Sequence, residues 1–147
     1  MSAQIFGTVF QSNIPSEISY VVQGGTSGTQ PVFNGDPLFI GSYVANGPLV
    51  YFRVNVSMTN ITQFGSGQYY LTLPFNAKYD TYITNGHLHK YSNGKEYSMH
   101  GDVSAGTNIL NLYYTASTGQ EDAFTQSSPF ILSSLDVFHI SGNYIKQ

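Results

Sequence analysis

From Tyr51 to Met58 the side chains alternate without a break, with Phe52, Val54, Val56 and Met58 on one side and Tyr51, Arg53, Asn55 and Ser57 on the other. A period of two belongs to an extended strand that lays one face on a core and turns the other to water. The same alternation returns at Tyr69, Leu71 and Leu73, at Leu110, Leu112 and Tyr114, and at Phe138 and Ile140. Turn residues fall between these stretches: Gly24-Gly25, Asn34-Gly35-Asp36, Asn46-Gly47-Pro48, Gly65-Ser66-Gly67, Asn93-Gly94, Gly106 and Gly119. Pro74 closes the strand before it, because proline has no N–H to give to a ladder. No helical period intervenes.

This spacing predicts strands at Gln4–Phe10, Glu17–Val22, Pro37–Val44, Leu49–Met58, Gln68–Leu73, Thr81–Tyr91, Lys95–Val103, Asn108–Thr115 and Leu135–Ile145. Short strands at regular intervals indicate an all-β fold, read here as a jelly-roll-like antiparallel β-sandwich of about 8–9 strands. The 147 residues make one domain, spanning 1–147. Gly24 to Pro31 has the composition of a linker, so residues 1–35 form either an N-terminal arm or a long loop.

Composition narrows the function. Charged residues are only 9% of the chain, whereas Ser, Thr, Asn and Gly supply 55 of its 147 residues. Five basic residues and a net charge of −3 cannot make a phosphate-tracking surface, which argues against nucleic acid. No run approaches the ~18 apolar residues of a membrane span, and Met1-Ser2-Ala3-Gln4 opens no secretory signal. Without cysteine there is no disulfide, thiolate metal site or thiol nucleophile. A surface with few charges also loses little to desolvation on docking, which favours assembly over catalysis.

Asn93-Gly94 is the strongest hairpin signal. A two-residue type I′ turn there would set Ser92 opposite Lys95, Leu88 opposite Met99 and His87 opposite His100. His87, His89 and His100 would then share an outward face with Glu96, close enough to hold a structural metal ion between them. Exposed or interface histidines are the plainer reading. The His-x-His pair also occurs in cupins, but the carboxylate spacing and the second cupin motif are missing. Glu121-Asp122 read as solvated loop charges, and no nucleophile elbow or phosphate loop is present. Tyr51, Tyr70, Tyr91 and Tyr113 fall on outward faces among Ser, Asn and Gly. They are candidates for a surface that binds protein or stacks on sugar, or for simple cross-strand pairing.

Several phrases carry a resemblance: Leu49-Val50-Tyr51-Phe52-Arg53-Val54, the stretch Phe64-Gly65-Ser66-Gly67-Gln68-Tyr69-Tyr70-Leu71-Thr72-Leu73-Pro74-Phe75, Gly86-His87-Leu88-His89, and Phe138-His139-Ile140-Ser141-Gly142-Asn143-Tyr144. Over roughly Gly41 to Ile145 the chain resembles the jelly-roll modules of tailed-phage virion proteins, found in fibres, spikes and capsid decorations. The resemblance implies a virion structural protein, usually a homotrimer, and with only three histidines to motivate chemistry the chain is read as not an enzyme. It supplies no catalytic residues and implies no cofactor. A capsid decoration (cement) protein bound to the major capsid protein is the expectation, with localisation on the virion. The alternative is the receptor- or glycan-binding tip of a tail fibre, head fibre or baseplate.

Overall fold

The computed structural model describes residues 15–35 and 38–147. The expected strand at Gln4–Phe10, and the first residue of the one expected from Pro37, lie outside them. Among the described residues there are twelve strands: β1 (Ile18–Tyr20), β2 (Gly24–Thr26), β3 (Val32–Phe33), β4 (Leu38–Asn46), β5 (Leu49–Ser57), β6 (Ile61–Gln63), β7 (Tyr69–Thr72), β8 (Thr81–Lys90), β9 (Lys95–Val103), β10 (Ile109–Thr115), β11 (Glu121–Ala123) and β12 (Val137–Ile145). All pairings are antiparallel, so the all-β class holds. The strand count exceeds the expected 8–9 because β2, β3, β6 and β11 are only two or three residues long. Strands that short carry no alternation to read.

One sheet runs β1-β4-β5-β12-β8-β9-β10-β7-β2, with β11 on β10, and β3 and β6 form a small second sheet. Its first and last strands, β1 and β2, are consecutive in the chain. The sheet curls into a half-barrel that brings them together. Tyr20 Oη donates to Thr72 O at 3.2 Å, and Gln23 N–H donates to Thr72 Oγ1 at 2.9 Å.

The core fills the inside of the curl. Phe52, Val54, Leu71, Leu88, Met99, Leu110, Leu112, Phe124 and Ile140 are all buried, and each expected inward stripe points there. Phe124 reaches it from beyond β11, its ring 5.2 Å from Tyr69 and 5.5 Å from Phe138. Burying each such side chain stabilises the fold by about 1.5–3 kcal/mol.

β12 is the keystone of the outward face. It pairs with β5 from Val137↔Ser57 to Ile145↔Leu49, and on its other side with β8 from Val137↔His89 to Ser141↔Asn85. Phe138 and Ile140 point in, so His139, Ser141 and Asn143 point out, between the outward residues of β5 and those of β8.

The β8–β9 hairpin departs from the expected register. Four residues, Tyr91 to Gly94, make the turn, so Lys90 faces Lys95, His89 faces Glu96 and His87 faces Ser98. The reason lies outside the hairpin: the Tyr91 N–H is taken by Asp136 Oδ1 at 3.0 Å and leaves the ladder. Gly94 N–H bonds back to Lys90 O at 3.0 Å, closing the longer loop, with Gly94 at φ 66°. Leu88 and Met99 still point inward, because a slip of two residues keeps every face. A bulge between Ile83 and Gly86 then breaks the strand's parity. Beyond it Ile83 turns in and Tyr82 turns out.

Candidate binding face

The outward surface of β5, β12, β8 and β9 gathers all four histidines of the chain. Glu96 on β9 lies between two of them, with Oε2 2.8 Å from His87 Nε2 and Oε1 3.3 Å from His89 Nδ1. The His89 hydrogen bond first, and the charge of His87 second, hold the Glu96 carboxyl below its usual range. The carboxylate stands in solvent, so the pairs are worth little in stability. His139 stacks on His87, with centroids 5.5 Å apart and planes 23° apart.

His100 stands apart from this group. It faces Tyr113 on β10, its Nε2 lies 3.2 Å from Thr115 Oγ1, and its ring is 5.9 Å from that of Tyr82. The structure therefore brings His87 and His89 together on Glu96 but not His100. Among the described residues no set of three His, Cys, Asp or Glu is placed to hold a metal ion. The residue that joins His87 instead, His139, was the one sequence reading missed. Alternation of Phe138 and Ile140 put it outward, but only the β12–β8 pairing reveals its neighbour. Glu121, expected in a loop, is on β11, 3.9 Å from His100.

Burial pushes the His100 pKa below the ordinary histidine value. The unfolded chain therefore takes up this proton first, and the stability His100 contributes is present above the ordinary value and is lost as pH falls. In an imidazole titration followed by NMR, His100 should protonate at lower pH than a free histidine. His100→Gln should correspondingly flatten the decline of the urea midpoint between neutral and mildly acidic pH. A His100 resonance titrating at or above the ordinary value would contradict this.

The four tyrosines singled out from sequence do not form one surface. Tyr51 on β5 and Tyr91 in the β8–β9 turn are exposed, whereas Tyr70 on β7 and Tyr113 on β10, the latter cross-strand from His100, are half-buried. Tyr51 finds a different companion. Across β12 from it stands Tyr82, also half-exposed, and the two flank a shallow groove of about 350 Å³. Thr84, Asn85, Ser141, Gly142 and Asn143 line the space between them. Asn85 Nδ2 donates to Ser141 Oγ at 2.7 Å and fixes the middle of the groove. Arg53, on the rung next to Tyr51, is engaged elsewhere, 2.7 Å from Glu17 and 3.0 Å from Ser42 Oγ.

No protein family and no curated protein sequence matches the chain. Among solved structures, the crystal structure of the Dettilon tailspike protein is similar, with a TM-score of 0.62 at 14% identity. The match covers 89% of this chain and 24% of that one. At this identity the likeness is one of fold. The chain spans about a quarter of the tailspike's length.

Proposed function

We propose that this chain is a β-structured module of a tailed-phage virion that works by binding, and that it sits on the tail. The observation that carries the reading is the likeness of fold to part of a phage tailspike across 89% of the chain. The sequence phrases point to the same class of proteins. The low charge of the chain, 9% of its residues, supports docking over chemistry, since few ions need be stripped of water. On this reading the chain assembles as a homotrimer against other virion proteins.

Capsid decoration is the second reading, and an apolar strip favours it. Leu38, Ile40 and Val137 are 44%, 67% and 40% exposed on adjoining outward rungs of β4 and β12. Together they border a groove of about 240 Å³. A shell subunit could cover such a strip. Gold-labelled antibody to the purified chain, applied to virions of the phage that encodes it, separates the two. Label at the tail end is the expected result. Label spread over the head would establish decoration, and unlabelled virions would overturn both.

A further inference from the structure

We infer that the groove between Tyr51 and Tyr82 is a binding site for a neutral glycan, laid across β5, β12 and β8. The inference rests on the chain's being a binding module, but not on its position in the virion. Two strand spacings separate β5 from β8, about 10 Å. Tyr51 and Tyr82, 46% and 49% exposed, thus stand on either side of β12 as two ring surfaces with a sugar-sized gap between them. The floor is low because β12 contributes only Ser141, Gly142 and Asn143 there. The volume, about 350 Å³, falls within the range of small-ligand sites.

The lining matches a sugar group by group. A pyranose offers hydroxyls that both donate and accept, and apolar C–H faces. Asn85 and Asn143 each carry a donor and an acceptor, and Thr84 and Ser141 add hydroxyls that do both. The tyrosine rings present negative π-faces to polarised C–H groups, with their own hydroxyls left free to bond at the rim. The bulge after Ile83 leaves Thr84 and Asn85 outside the β9 ladder. That keeps this stretch of β8 available to a ligand.

The preference for a neutral sugar follows from charge. None of the residues lining the groove is charged. The nearest cation, Arg53, is the cross-strand partner of Ser141 on the groove's own rung, and its guanidinium is paired with Glu17 at 2.7 Å. Asp102 is the cross-strand partner of Tyr82 and repels a carboxylate or sulfate at that end. An apolar peptide would find polar walls instead of side-chain pockets. The Asn85–Ser141 hydrogen bond and the packing of Tyr82 on the His100 ring hold the site in shape before anything binds.

The test uses the purified full chain on an array of neutral oligosaccharides (glucose, galactose and N-acetylhexosamine types) beside uronic- and sialic-acid glycans, with hits measured by titration calorimetry. Binding to neutral members, and weaker or no binding to acidic ones, is the expected result. Tyr51→Ala and Tyr82→Ala should each weaken binding roughly tenfold, while Tyr51→Phe and Tyr82→Phe retain most of it. Ile131→Ser, 78% exposed and away from the groove, should leave affinity unchanged. All variants should show the wild-type thermal transition, so that lost binding is not lost folding. Silence on every neutral glycan at millimolar concentration, preference for acidic glycans, or indifference to both alanine variants would overturn the assignment. A silent chain found on virion tails defeats the glycan site alone. A binding chain absent from virions defeats the virion reading alone.

Discussion

Phe52→Ala should lower the free energy of unfolding by about 3–5 kcal/mol. Phe52 is fully buried on the inward face of β5, its ring 6.0 Å from Tyr144 at 67°. The site cannot collapse to fill the space. β5 is clamped along its whole length, by β4 on one side and β12 on the other, so the backbone stays and a cavity remains. Domains of this kind are stable by only about 5–15 kcal/mol, and the variant forfeits a large share. Tyr51→Ala, one residue earlier and on the outward face, should cost no more than about 0.5 kcal/mol. Urea midpoints with unchanged m-values measure both. Equal losses at the two positions would mean that β5 does not separate core from surface as described.

That contrast between adjacent residues is the part of the fold written most plainly in the chain. Where alternation runs for four or more residues, as at Tyr51–Met58 or Leu110–Tyr114, burial follows it residue by residue. It fails where the chain is short or rich in glycine. Gly24 and Gly25 suggest a flexible linker, yet they form β2. A Cβ on Gly24 would lie 2.8 Å from the Phe39 ring, and one on Gly25 would lie 2.5 Å from Tyr70 Oη. These glycines serve close approach, where the two ends of the curled sheet meet, rather than freedom. Which strands will be neighbours across the curl is not encoded within any one stretch, so no local pattern can reveal it.

The candidate binding face is legible in part for the same reason. Tyr51 follows from simple alternation. Tyr82 does not: counting back from the buried Leu88 by twos makes it an inward residue, and only the bulge between Ile83 and Gly86 turns it out. Alternation sets the histidines outward but does not give their pairings, because the turn that sets them is governed from a distance. Asn93-Gly94 prefers a two-residue turn in isolation. Asp136, 45 positions from Tyr91, removes that option by taking the Tyr91 N–H.

Asp136→Ala should therefore cost about 2–4 kcal/mol although it removes only a small side chain. Asp136 is 1% exposed and ties three segments together. Its Oδ1 accepts from Tyr91 N–H at 3.0 Å and its Oδ2 from Ser133 N–H at 2.8 Å. Its own backbone C=O accepts from Met58 N–H at 3.2 Å, at the end of β5. Alanine keeps the last of these and deletes the two carboxylate bonds, leaving two part-buried N–H groups without their partner. Asparagine has one acceptor oxygen where aspartate has two, so Asp136→Asn should lose roughly half as much. Hydrogen exchange locates the effect. The Tyr91 and Ser133 amides should exchange much faster in Asp136→Ala, while the Leu88 and Met99 amides, deeper in the hairpin, change only with global stability. If Tyr91 stays protected in that variant, the four-residue turn is held by Asn93 and Gly94 themselves, and the long-range control of the histidine register is lost as an explanation.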